Sequence, residues 1–373
     1  MYVPVMKNRT VEMNVLTQLA SLGVFNNTKK VFPLIELIQE KIRTNTNTLY
    51  MDFLIKLLKE NSDMSVMIDF YKSTKLNSTT DTIREYVTKS TRRAEFCISE
   101  MNKFNEFSER VVPVISYLAD ITPPKQIEAD EKKLRTTFPI IAFRVKAQDF
   151  DNLFPIIENL IKENDLLLLD IESSSHTSPV FKKIYRTISE SKKNKKFISV
   201  IINAHRPESL TNKSMVNGEP ISSIDNSLKD MYRSSTLNKF DGFGDYASIV
   251  ASLPSSGGTV SPAGVYYSNE NNFFVSYTGR APQLSEFPDY IAPNIVKSEY
   301  WNEFDDEHHS KCPGCNEIIS IIKKDKSGKS QAQWKRIAMS HYIYTLYETR
   351  SEEHTSELQS LPKSVLPIQL EKK

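Results

Sequence analysis

Seven short apolar runs, each closing on a polar or charged residue and each followed by a stretch long enough for a helix, pace the first two-thirds of this chain. They run from Tyr2 to Lys7, Val31 to Glu36, Val66 to Asp69, Val111 to Tyr117, Pro139 to Arg144, Leu166 to Asp170 and Phe197 to Asn203. A strand is continuously hydrophobic when both of its faces are buried, and in a parallel barrel only the carboxyl ends of such strands open onto a ligand. The rhythm therefore predicts an α/β fold, a TIM-like (β/α)8 barrel.

The chain has 373 residues, more than the roughly 250 of a plain barrel. We expect the barrel over residues 1–250 and an irregular C-terminal elaboration packed over its open end. Within the barrel, Val11, Val15, Leu19 and Leu22 recur at helical spacing until Gly23 stops the helix, and the segment from Asp241 to Val250 supplies the eighth strand. Residues 251–349 hold a hairpin from Gly264 to Tyr277, a Cys-pair loop and a closing helix from Trp334 to Tyr347, with turns marked at Asn217-Gly218 and Gly257-Gly258. The segment from Arg350 to Ser360 resembles the translation of a sequencing-library adapter. Residues 350–373 are accordingly expected to be an artefact of that origin or a disordered tail, and His354 is left out of any mechanism.

Lysine and arginine number 48 against 46 acidic residues, a net charge of +2, so no whole-molecule field recruits nucleic acid and any basic surface is local. Ten glycines, with no phosphate-loop pattern and no dinucleotide fingerprint, argue against a glycine-rich nucleotide cradle. Three cysteines make no disulfide framework. No apolar run is long enough to span a bilayer, and Tyr2-Val3-Pro4-Val5 reads as a strand rather than a leader. A cytoplasmic protein without a membrane partner is expected.

In a parallel barrel Lys7, Glu36, Asp69, Arg144, Asp170 and Asn203 come from six strands and meet at one mouth. Carboxylates beside a lysine and an arginine suit a phosphate ester: the cations neutralise the anion while a carboxylate holds a divalent cation or moves a proton. Glu172 follows Asp170 by two residues, the extended-backbone spacing that would let both share that cation. His205, just past the seventh run, is a candidate acid or base. Asp69, Asp170, Glu172 and His205 are thus the candidate catalytic residues, and Lys7, Glu36, Arg144 and Asn203 candidate ligand contacts. Asp245 and Tyr246 join them because Gly242-Phe243-Gly244 lets the backbone crowd a ligand or a tight bend. The competing expectation is that the same charges satisfy one another as buried ion pairs that fix the barrel.

The densest set of metal-ligating side chains lies at residues 305–315, where Cys312 and Cys315 form a C-x-x-C turn and His308 or His309 offers a third ligand. That is half of a strong zinc signature, with the remaining position open or filled from elsewhere. Trp334 and His341, seven residues apart, share a face of the closing helix; with Arg336 they are expected to cap the mouth as a stacking and polar surface.

The order of several short marks resembles the beta family proteins of phages and bacteria. These marks are Met1-Tyr2-Val3-Pro4 followed by Lys7, Arg9 and Glu12; the strand from Pro33 to Glu36; Phe243-Gly244-Asp245-Tyr246; and Trp334-Lys335-Arg336 with His341-Tyr342. The resemblance spans about residues 1–349 and adds Arg9 to the candidate ligand contacts. It implies no particular reaction, and it suggests a setting near mobile-element and defence genes. The expected function is an enzyme acting on a phosphate ester, a nucleotide or a nucleic-acid end. The alternative is a non-catalytic ligand sensor or binding component of a defence system.

Overall fold

The computed structural model describes every residue except 27–30, 41–48, 77–78, 119–120, 222–239, 254–260 and 361–373, with backbone alone for 350–360. The expected turn at Gly257-Gly258 and the end of the tail lie outside the described residues. Eight parallel strands close in sequence order into a barrel: β1 (Tyr2–Lys7), β2 (Leu34–Leu37), β3 (Val66–Phe70), β4 (Val111–Ser116), β5 (Ala142–Lys146), β6 (Leu166–Asp170), β7 (Ile198–Asn203) and β8 (Gly242–Asp245). Between them lie α1 (Thr10–Ala20), α2 (Tyr50–Glu60), α3 (Asp81–Arg92), α4 (Ala94–Met101), α5 (Lys125–Leu134), α6 (Phe150–Leu160) and α7 (Lys182–Asn194).

The four leucines of β6 show why the runs are unbroken. Leu166 and Leu168 pack inside the barrel with Val5, Leu34, Met67 and Val200, whereas Leu167 and Leu169 pack outward among the helices with Ile35, Ile68 and Phe143. Each such side chain contributes roughly 1.5–3 kcal/mol by leaving water, so neither face tolerates a polar residue until the strand reaches the mouth. The same two-residue alternation carries Lys7, Glu36, Asp69, Arg144 and Asp170 inward at the last turn of the interior.

β8 closes the ring against β1 and β7. A Cβ at Gly244 would stand 2.6 Å from the Val3 carbonyl oxygen, and one at Gly242 would stand 2.6 Å from that of Met1. These glycines therefore let two strands approach each other, rather than making room for a ligand or a bend as the sequence suggested.

After the barrel come an antiparallel hairpin, β9 (Ala263–Ser268) and β10 (Phe273–Thr278), and the helices α8 (Ala292–Val296), α9 (Asp306–Lys311), α10 (Pro313–Ile322) and α11 (Gln331–Ser360). The long helix α11 lies along β9, α10 and α1. This places α11 against the α1 flank of the barrel, and among the described residues none beyond Ser252 lines the cavity at its open end. No helix among the described residues is long and apolar enough to cross a membrane.

Candidate functional site

Strand register fixes the floor of the mouth: Lys7 is level with Glu36, Glu36 with Asp69, and Ser116 with Arg144. Arg144 stands at the centre. Its Nη1 donates to Glu36 at 2.8 Å and Asp69 at 2.9 Å, its Nε and Nη2 donate to Asp170 at 3.1 and 2.7 Å, and Nη2 also donates to the Tyr246 hydroxyl at 2.7 Å. A guanidinium carries five N–H groups, and all five are used. Burial works against its charge, but Tyr246 and the three carboxylates outweigh that penalty, and the guanidinium is held well above its ordinary range.

The network continues outward from Arg144. Tyr246 donates its hydroxyl to Glu36 at 3.0 Å, Ser116 donates to Asp69, and the backbone N–H of Glu172 donates to Asp170 at 2.9 Å. Lys7 reaches Glu36 at 3.5 Å and sits 4.7 Å from the centre of the Tyr246 ring. Burial lowers the Lys7 pKa against the pull of Glu36, and burial raises that of Asp69. Lys7, Glu36 and Arg144 thus form buried ion pairs, the competing expectation of the sequence. Lys7 and Glu36 do not line the cavity above, and Arg144 has no donor left to clamp an anion.

Above this floor opens a cavity of about 330 Å³. Asp69, Arg144, Asp170 and Tyr246 form its base, and the rim carries Lys72, Lys75, Lys146 and Arg206 with Tyr71, Tyr117, Glu172 and Glu208. Glu172 is turned to the rim of this cavity while Asp170 stays at its base, so the two carboxylates are held by different partners. The strand ends at Asp170, the backbone turns to φ 53° at Glu172, and its carboxylate meets Lys146 at 2.6 Å on the rim. Lys72 donates to the Ser116 carbonyl at 2.6 Å, and Arg206 to that of Ser248 at 2.8 Å. Lys72, Lys75 and Lys146 lie outside the set of ligand contacts expected from the sequence. Lys146 was findable, because it follows Arg144 by two residues and so faces the same way.

Other candidates sit elsewhere. Asn203 and Asp245 are level with each other and point into the helix layer. Asn203 donates to the Ser174 carbonyl at 2.6 Å. Asp245 is fully buried and accepts from Tyr2 at 2.9 Å, Tyr342 at 2.6 Å and the Ala247 N–H at 2.8 Å. His205 lies beside it at 3.8 Å, stacked on Phe274 with ring centres 5.1 Å apart, and burial lowers its pKa. It belongs to the seam between barrel and hairpin, outside the mouth. Arg9 precedes α1, where its charge offsets the buried carboxylate of Glu12. Trp334 stacks on Phe287 at 5.4 Å and donates to the Gly328 carbonyl at 2.9 Å, and Arg336 pairs with Glu317. Both hold the C-terminal helices together, and neither caps the mouth.

A second polar cluster lies among those helices. The ligand atoms of His308, Cys312, Cys315 and His341 are all buried and within 4.8 Å of one another. His341, expected at the mouth, is the group that completes the set. His309 does not join it: its ring stacks on Trp301 at 4.0 Å and its Nε2 meets the Trp301 carbonyl at 3.2 Å. Burial, with Cys315 beside it, pushes the Cys312 thiol up to about 12.

Among solved structures, the catalytic domain of the Bacillus sp. JAMB-750 GH26 endo-beta-1,4-mannanase is similar at 9% identity and a TM-score of 0.30, over 78% of this chain and 69% of that one. A likeness of that size carries nothing about chemistry. No curated protein matches the sequence. The family model described as Beta protein matches residues 2–347, nearly the whole length, and the chain belongs to the Beta protein family.

Proposed function

We propose that the barrel mouth recognises a small phosphate-bearing ligand of nucleotide size, and that it does so as a binding component rather than by metal-assisted hydrolysis. The observation that supports this is the division of labour between floor and rim. The floor carboxylates are tied to a saturated Arg144, while Lys72, Lys75, Lys146 and Arg206 surround an open cavity of about 330 Å³. Cations on flexible stems at a rim suit an anion that brings several oxygens, and Tyr71 and Tyr117 offer faces for a ring. A divalent cation between Asp69 and Asp170 would have to displace the guanidinium that already holds both, which removes the main attraction of the phosphoesterase expectation. A ligand-sensing role in a phage or defence setting, suggested by the resemblance in sequence, is compatible with such a pocket.

One observation favours a second reading. Asp69 borders the cavity, and burial raises its carboxyl pKa against the pull of Arg144 and Ser116, the direction a proton donor needs. Phosphate-ester cleavage with Asp69 as general acid or base, without metal, follows from that. Thermal shift with pyrophosphate, AMP and ATP, run beside turnover of a generic phosphodiester, separates the two. Stabilisation by the phosphate compounds without turnover supports recognition. Turnover that disappears in Asp69→Asn supports the second reading, and a result with neither stabilisation by any of the compounds nor turnover overturns both.

A further inference from the structure

We infer that His308, Cys312, Cys315 and His341 form a closed, structural zinc site that clasps the C-terminal helices to the hairpin and, through the next residue, to the barrel. The four ligand atoms lie within 4.8 Å of one another, and Nδ1 of His341 is 3.5 Å from each sulfur. Zinc takes thiolate sulfur at about 2.3 Å and imidazole nitrogen at about 2.0–2.1 Å in a tetrahedron, whose edges of roughly 3.3–3.8 Å match the nitrogen–sulfur separations of 3.5 Å. The donor set, two sulfurs and two nitrogens, is one zinc prefers.

The chain brings these groups together in three steps. His308 and Cys312 are four residues apart, one turn of α9, and the Cys312 N–H bonds the His308 carbonyl at 2.7 Å. Cys312 then precedes α10, whose first turn Pro313-Gly314 carries Cys315 back beside it. Gly314 lets α10 meet α11: a Cβ there would stand 2.5 Å from the Ile337 carbonyl oxygen and 2.7 Å from the Cβ of His341. Only a glycine admits the approach that sets His341 against both sulfurs.

The surroundings orient the ligands as a metal site requires. Nδ1 of His308 is engaged by the Glu348 carboxylate, which leaves Nε2, a buried nitrogen without a hydrogen-bond partner. Nε2 of His341 meets the Tyr267 carbonyl at 3.1 Å, and the Tyr266 ring stacks on the His341 ring at 4.1 Å. Zn²⁺ with two thiolates and two neutral imidazoles has no net charge, which suits a site where both cysteines and His341 are 0% exposed. On binding, the two thiol protons leave to solvent as the zinc–sulfur bonds form, and nothing is oxidised or reduced. All four positions are filled by protein, so the ion is structural rather than catalytic. Tyr342, adjacent to His341, donates to Asp245 at 2.6 Å, which carries the clasp to the end of β8.

The test is elemental analysis of the full chain, purified without chelator. One zinc per chain is expected, unchanged in His309→Ala and lost in the Cys312→Ser, Cys315→Ser double variant. If that variant fails to fold, X-ray absorption at the zinc edge of the unaltered protein decides. Two sulfurs at about 2.3 Å and two nitrogens at about 2.0 Å support the site. Stripping the metal should lower the melting temperature, and zinc should restore it. Folded protein that takes up no zinc after dialysis against it, or a zinc shell without sulfur, overturns the inference.

Discussion

The barrel mouth and the Cys/His clasp are both clusters of polar side chains gathered from distant parts of the chain, and they solve the cost of burial in opposite ways. At the floor of the mouth the charges are paired with one another: Arg144 spends its five N–H groups on Glu36, Asp69, Asp170 and Tyr246. In the clasp the donors are soft and lone-paired, and a buried nitrogen of His308 lacks any hydrogen bond. A self-satisfied cluster supports a site and leaves recognition to its rim. A cluster of soft donors with a buried nitrogen left unspent suits a cation.

The sharpest way to break this contrast is at its hub. Arg144→Met leaves three buried carboxylates facing one another, and removing one partner of a buried ion pair costs about 3–5 kcal/mol. Urea unfolding should show a loss of that order. A variant of near-normal stability that merely lost phosphate binding would return Arg144 to the role of an anion clamp.

Next comes Gly314→Ala, for which overpacking predicts a loss of about 1–3 kcal/mol together with lower zinc content. Retention of a full equivalent of zinc at normal stability would mean that the close approach of α10 to α11 is not what forms the clasp.

The seam between the two regions offers a pH test. Burial lowers the His205 pKa below its ordinary 6.5, so the folded state favours the neutral ring. Its contribution to stability is present above about pH 6.5 and declines as pH falls below that value, where the unfolded chain gains protons first. His205→Phe keeps a ring against Phe274 and should show a shallower loss on acidification, read from melting curves across that range. Equal slopes for the two proteins would contradict the assignment.

The smallest effect on stability is expected at the rim. Lys72→Ala and Lys146→Ala should change stability by no more than about 0.5 kcal/mol yet weaken pyrophosphate binding about tenfold each, since a charged hydrogen bond is worth about 1.5–3 kcal/mol. Urea unfolding checks the first number and calorimetric titration at two salt concentrations the second, because binding through exposed cations weakens as salt rises.

The barrel was legible because alternation and unbroken hydrophobicity are local properties. Leu166 to Asp170 reads as a buried strand wherever it stands, and the polar ends of β1, β2, β3, β5 and β6 do meet. What local pattern does not encode is which side of the wall a terminal residue faces once the strand ends. Asn203 lies on β7 but faces outward, and Glu172 follows a strand that has already stopped. Nor does it encode saturation, since an arginine that clamps a ligand and one that serves three carboxylates look the same in a sequence. The clasp was half legible. Cys312, Cys315 and His308 are neighbours in the chain, whereas His341 arrives 26 residues beyond Cys315 through the packing of α11 on α10.

Anomalous diffraction from crystals grown with zinc tests both halves of the comparison at once. One strong peak is expected, enclosed by His308, Cys312, Cys315 and His341, and none between Asp69 and Asp170, where Arg144 stands. A peak at the barrel floor, or no peak among the cysteines, would contradict that expectation.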